Sequence, residues 1–274
     1  MTNQIVHLKD RFPFLGKNGC DPILDIYLPE SIPGYLAKRH NLFICPGGGY
    51  STCSPREGSP IAMHFVAEGY NVFVLRYSTA PNRFPTQLIE VAAALEVIHE
   101  NADAWQCDLQ KIAICGFSAG GHLAAHYSNA YNCDPVRAVF PDSKSVHAAI
   151  LCYPVITVQD DAHMNSFLNL TGHDQLTQED IEMFSCENMV SAHTPPTFLW
   201  HTASDPVVPY INTLVYAQAL YRHKVPAEIH IYPAGPHGLA TVDHVTCADL
   251  TPDSARAKDW IRQAKAWLSY VFKE

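Results

Sequence analysis

The chain has 274 residues, 47% of them hydrophobic and 16% charged, with a formal net charge of −9. That apolar content supports a sizeable core and excludes a disordered chain, and the length suits one α/β enzyme domain, taken as residues 1–274. A mildly acidic balance with no cluster of Lys and Arg argues against a nucleic-acid partner.

The chain opens without a basic stretch leading into an apolar run, so no secretory signal is expected. No apolar run nears the roughly 18 residues that span a bilayer, so no membrane partner is expected either. Short apolar runs alternate with helix-length amphipathic stretches. Runs at 24–28, 42–45, 72–77, 112–117, 148–155, 198–202 and 229–232 predict strands, several almost wholly apolar, as for strands covered on both faces. Between the second and third, Ser59-Pro60 reads as an N-cap with proline at the first helical position, and Gly69 closes the helix. Further helices are predicted over about 85–100, just after Ser118, over 210–223 and over 254–272. This alternation predicts a mainly parallel sheet with helices on both faces. Residues 156–196 break the rhythm: they are polar, lack a clear strand, and hold one predicted helix from a Thr177 cap to about Met189. They read as a lid-like insertion at the active site, with a surface excursion as the alternative. Of the nine cysteines, Cys45, Cys115 and Cys152 sit inside apolar runs as reduced, buried thiols, which implies the cytoplasm. No Cys-x-x-Cys pair suggests zinc or redox chemistry. The oligomeric state stays open, a homo-oligomer included.

The densest chemical signal is Gly116-Phe117-Ser118-Ala119-Gly120, which follows a strand and precedes a helical pattern. The glycines leave room around a serine on a sharp, strained turn, and the helix N-terminus favours developing negative charge. Three glycines after another strand, Pro46-Gly47-Gly48-Gly49-Tyr50, read as an oxyanion loop, with the Gly48 and Gly49 amides joining that of Ala119. No Gly-Lys-Ser/Thr follows, so this is not a phosphate-binding loop. A serine nucleophile needs a base. Among 15 histidines, His237 follows one strand and Asp205 the strand before it, in the order nucleophile, acid, histidine. Asp160 is kept as an alternative acid. His201 reads as a core or edge residue, and His244 with Asp243 lack a strand directly before them. His122 and His126 are spaced for a metal but have no acidic base beside them, so they read as packing groups. No metal site is expected.

Together, Pro46–Tyr50, Gly116-Phe-Ser-Ala-Gly-Gly-His-Leu-Ala124, Ser204-Asp205 and Pro236-His237-Gly238 resemble the esterase/lipase branch of the α/β-hydrolases. The segment Arg76-Tyr-Ser-Thr-Ala-Pro81 with Phe84-Pro85 adds to the likeness. It is nearest to small bacterial acetyl-xylan-esterase-like or sugar-ester hydrolases, and looser to the hormone-sensitive-lipase family. That lipase pattern has His where Pro46 stands and Asp where Glu90 stands, and it carries long N-terminal cap helices for which there is no room here. The resemblance implies an α/β-hydrolase fold and a serine carboxylesterase for short acyl groups, acetyl above all, with no cofactor and a small ester as partner. Polar residues of the insertion (Gln159, Asp160, Asp161, His163, Asn165, Asn169) would suit a sugar alcohol. The alternative has them facing solvent, with the acyl pocket formed by Tyr50, Tyr77 and Val207. A serine peptidase or amidase would share the triad, but neither a propeller nor a charged anchor for a peptide amine is visible. A non-catalytic binding module would not need all three triad residues.

Overall fold

The apolar runs form the middle of one eight-stranded sheet in the computed structural model, which describes residues 2–32, 34, 38–159, 161–248 and 250–273. The strands are β1 (Thr2–His7), β2 (Ile23–Leu28), β3 (Arg39–Cys45), β4 (Asn71–Arg76), β5 (Cys107–Phe117), β6 (Ala148–Cys152), β7 (Thr197–Thr202) and β8 (Ala227–Tyr232). Their spatial order is β1-β2-β4-β3-β5-β6-β7-β8. β1 pairs antiparallel with β2 and β2 antiparallel with β4, and all later pairs are parallel. The α-helices are α1 (Leu8–Arg11), α2 (Ser59–Val66), α3 (Thr86–Glu100), α4 (Ala119–Ala130), α5 (Asp134–Arg137), α6 (Met164–Thr171), α7 (Gln178–Phe184), α8 (Ile211–Arg222) and α9 (Trp260–Phe272).

The helices bury apolar residues on opposite faces of the sheet, which is why the central strands are apolar on both sides. One face packs α3, α4 and α8 through residues such as Leu95, Leu123 and Tyr216. The other packs α2 and α9 through Phe65, Trp260 and Leu268. Trp260 stacks on Trp200 of β7 at 5.2 Å and donates to the Ala240 carbonyl at 2.9 Å, tying α9 to the chain after β8. Cutting Trp260 to alanine would cost about 3–5 kcal/mol.

Several boundaries differ from the sequence reading. β1 has no apolar run to announce it: it is an edge strand on which Asn3, Gln4 and Ile5 are exposed. The predicted 148–155 strand ends at Cys152: Tyr153 adopts φ 37°, and Val155 then donates to the Ser118 carbonyl, turning the chain over the active site. Gly58, not Ser59, caps α2, and having no side chain it supplies no capping hydrogen bond. The 254–272 segment opens as a 3₁₀ turn (Ser254–Asp259) before α9. The insertion holds two α-helices. Thr177 and Asp180 form a reciprocal capping box at the start of α7. That helix stops at Phe184 rather than Met189, because Ser185 is extended and its hydroxyl accepts the Val158 amide. α6 escaped notice because it is short and interrupts its apolar stripe with Asn and Ser. Phe167, Leu170 and Phe184 bury the underside of both helices in the core, so α6 and α7 pack onto the fold as a roof.

Candidate active site

Four strand ends meet under this roof. At the end of β5 the chain turns sharply into α4, and Ser118 at the turn has φ 52° and ψ −120°. Strain of this kind costs about 1–3 kcal/mol and persists only where the surroundings enforce it. A Cβ at Gly116 would overlap the Gly120 carbonyl, and one at Gly120 the Cys45 and Pro46 carbonyls, so only glycine fits either side of the turn. The Ser118 amide donates to the Cys152 carbonyl at 3.0 Å, while its carbonyl accepts the amides of His122 and Val155.

Loops after β7 and β8 bring Asp205 and His237 to this serine. The Ser118 hydroxyl donates to His237 Nε2 at 2.8 Å, and His237 Nδ1–H donates to Asp205 Oδ2 at 2.6 Å. The other Asp205 oxygen accepts the Val207 and Val208 amides at 2.9 and 3.0 Å. Burial alone would raise the Asp205 carboxyl, but hydrogen bonds from His201, His237 and Val207 hold it well below the usual carboxylate range. It is therefore ionised wherever the imidazole needs it. His201 is fully buried, as a core residue, but it also approaches Asp205 Oδ2 with Nε2 at 3.3 Å. That nitrogen faces the Val208 carbonyl at 2.9 Å as well, so it carries the proton, and Nδ1 accepts from the Thr213 hydroxyl.

The loop after β3 is fastened at almost every polar group. Its carbonyls accept from Tyr77 Oη (Pro46), the Ser54 amide (Gly47), the Ser51 and Thr52 amides (Gly48) and Asn169 Nδ2 (Gly49). The Gly47 amide donates to Glu57 Oε2 at 2.8 Å. The amides of Gly48, Gly49 and Ala119 donate to no protein group among the described residues. Unsatisfied donors beside a serine hydroxyl are what a developing oxyanion requires.

The cleft is about 520 Å³ and is lined by Gly48, Gly49, Ser118 and His237 below, and by His163, Asn165, Leu168 and Asn169 of the roof above. The Ser166 hydroxyl is buried and its one partner among the described residues is His163 Nδ1 at 2.8 Å, so it donates there. That leaves His163 Nε2–H for whatever occupies the cleft. Burial, with His237 nearby, lowers the His163 pKa and keeps the ring neutral. A larger hollow, about 600 Å³, is lined by Arg39, Glu68 and Lys265 on another part of the molecule, and Lys265 is paired there with Glu68.

The rival residues lie elsewhere. His122 is buried, with Nε2–H on the Phe184 carbonyl at 2.9 Å and Nδ1 accepting from Tyr50 Oη at 2.8 Å. Burial pushes His122 down to about 4 and His126 down to about 3, so both stay neutral packing groups. No group of three His, Cys, Asp or Glu among the described residues is arranged for a metal. Asp243 closes its own turn by accepting the Val245 amide and the Thr241 hydroxyl. Asp160 lies outside the described residues. Of the three acyl-pocket candidates only Val207 lines the cleft; Tyr50 and Tyr77 are buried behind it, with their hydroxyls on His122 and Pro46. Gln159 and Asp161 line a separate hollow. No helix among the described residues is long and apolar enough to cross a membrane.

The BD-FAE family model matches residues 24–220. The chain belongs to the BD-FAE family. Over 98% of its length it superposes on 96% of an acetyl ester-xyloside bifunctional hydrolase from Caldicellulosiruptor lactoaceticus, with a TM-score of 0.83 and 31% identity. It is 36% identical to endo-1,4-beta-xylanase B of Butyrivibrio fibrisolvens over 77% of this chain and 35% of that one. It is 29% identical to an acetylxylan esterase of Xylanibacter ruminicola over 78% of this chain and 42% of that one. The chain thus spans well under half the length of these two curated relatives. Family and fold together place it in the esterase branch of the α/β-hydrolases.

Proposed function

We propose that this chain hydrolyses carboxylic esters of short acyl groups, acetyl above all, whose alcohol portion carries free hydroxyls, as a sugar does. The observation that carries the reading is the unbroken chain of hydrogen bonds Ser118–His237–Asp205 beside three undonated amides. His237 Nε2 takes the Ser118 proton as Oγ attacks the ester carbonyl, and the oxyanion settles on the amides of Gly48, Gly49 and Ala119. The imidazolium, held by Asp205, then gives that proton to the departing alcohol and leaves an acyl-serine. Water, deprotonated by His237, attacks this ester; collapse returns the proton to Ser118 and releases the acid. The names of the Caldicellulosiruptor and Xylanibacter relatives favour acetyl esters on a xylose-based alcohol.

The lining supports short acyl groups. Among the described residues its large apolar side chains are Leu168 and Val207 alone, and each buried methylene would gain about 0.8 kcal/mol. Acetyl to butyryl nitrophenyl esters should therefore exceed chains of eight or more carbons in kcat/KM. Acetylated xylo-oligosaccharides should be turned over and aminoacyl anilides should not. A kcat/KM that keeps rising past octanoate, or turnover of anilides alone, would overturn the reading.

A further inference from the structure

Glu57 is a buried acidic group that the reaction scheme leaves unused. It sits one turn before α2, is 2% exposed, and lines the floor of the cleft. Its two oxygens hold two different parts of the site. Oε2 accepts the Gly47 amide at 2.8 Å, in the oxyanion loop. Oε1 accepts the Tyr153 hydroxyl at 2.8 Å, and that same hydroxyl accepts the Ala240 amide at 3.1 Å, just beyond His237. The Tyr153 ring lies across the His237 imidazole, centroids 5.1 Å apart. A Cβ at Gly47 would come within 2.7 Å of both Glu57 Oε2 and the Phe117 carbonyl, so the loop is seated directly on the carboxylate. Three residues of this assembly hold backbone angles that L side chains disfavour: Ser118 at φ 52°, Tyr153 at 37° and Ala240 at 50°. Such clustering at one place marks a structure that over-determines its strain.

We propose that Glu57 is a positioning residue: through Gly47 it sets the oxyanion loop, and through Tyr153 it sets His237, so that both halves of the machinery share one anchor. This rests on the esterase reading above. The hydrogen bonding favours the carboxylate form, because the Gly47 amide can only donate and Tyr153 Oη, which accepts from Ala240, turns its own proton to Glu57. Burial pushes the Glu57 carboxyl up, against the hydrogen bonds from Tyr153 and Gly47 and the nearby charges of His237 and Arg56. The other titratable groups around it are Tyr77, Cys53 and Cys152, all neutral with pKa raised by burial. A carboxylate at this place also favours the proton on His237 in the transition state.

The test is Glu57→Gln. An amide must turn its NH₂ toward one of two donors, so one of the two links breaks. With nitrophenyl acetate, and enzyme counted by fluorophosphonate titration, kcat should fall about 10- to 100-fold while KM stays within about threefold. The acid limb of kcat/KM against pH should move to lower pH, because the negative charge beside His237 is gone. A purely structural role would lower the melting temperature without moving that limb. Tyr153→Phe keeps the charge and cuts the link, and should lower kcat about tenfold. A folded Glu57→Gln with wild-type kcat per titrated site and an unmoved acid limb overturns the proposal. If Glu57→Gln does not fold, wild-type kcat in Tyr153→Phe overturns it. Turnover surviving in Ser118→Ala would instead overturn the esterase reading, whatever Glu57 does.

Discussion

The floor and the roof of the cleft are held in different ways. The floor is four strand ends and their turns, with nearly every polar group assigned a buried partner and several residues in strained conformations. The roof, 156–196, packs by its underside through Phe167, Leu170 and Phe184 and turns polar side chains inward. It touches the floor's polar machinery through Asn169, whose amide donates to the Gly49 carbonyl at 2.8 Å. On the proposed reading, the contrast assigns chemistry to a rigid, over-determined layer and recognition to a layer whose polar tips can vary without disturbing the sheet.

Substitutions in the floor should be severe. Ser118→Ala should lower kcat at least about 10⁴-fold and abolish fluorophosphonate labelling, with an unchanged circular dichroism spectrum. Asp205→Asn should lose up to about 10⁴-fold, because the buried amide can stabilise the wrong His237 tautomer. Near wild-type turnover in either would remove the floor's claim to the chemistry. Substitutions in the roof should be milder and selective. His163→Ala should lower kcat/KM for acetylated sugars by about tenfold, one hydrogen bond's worth, and spare nitrophenyl acetate. Equal loss on both substrates would erase the division of labour.

A separate effect concerns stability and pH. His122 and His126, buried behind the nucleophile helix, are depressed to about 4 and about 3 by burial. An unfolded histidine titrates near 6.5, so between about 6.5 and those values the unfolded chain binds protons that the folded one refuses. The stabilisation is complete above that window and lost as pH falls through it, with a slope approaching about 1.4 kcal/mol per pH unit for each histidine. Urea unfolding from pH 7 to 5 measures this. His126→Phe, which keeps the aromatic stack on Phe84, should flatten the slope, and an unchanged slope would mean that the ring is protonated in the fold.

Legibility in the sequence follows the same division. Ser118, Asp205 and His237 each sit just past an apolar run and beside turn-forming residues, so local pattern suffices to nominate them, and the structure brings all three within hydrogen-bonding distance. The parallel core of the sheet is legible for the same reason. Glu57 gave no local signal. Its burial comes from Gly47, Tyr153 and His237, three separated segments that no spacing rule connects. Tyr50 and Tyr77 looked like cleft residues because they end strands, but their hydroxyls turn back to His122 and Pro46. The departure from the lipase pattern at Glu90 has a local setting: its carboxylate accepts the Ser78 amide and hydroxyl in the core.

The bond from Asn169 to the Gly49 carbonyl joins the roof and the loop after β3 into one mechanical piece. On the proposed reading, an ester that lodges against the roof in the wrong shape should tug on that loop, so that its penalty falls on rate more than on affinity. Ill-fitting acetates should then occupy the cleft and turn over slowly, which makes them competitive inhibitors of the well-fitting ones. In a mixture of partly acetylated oligosaccharides, the order in which acetyl groups disappear would be set by which bound geometries leave that loop undisturbed.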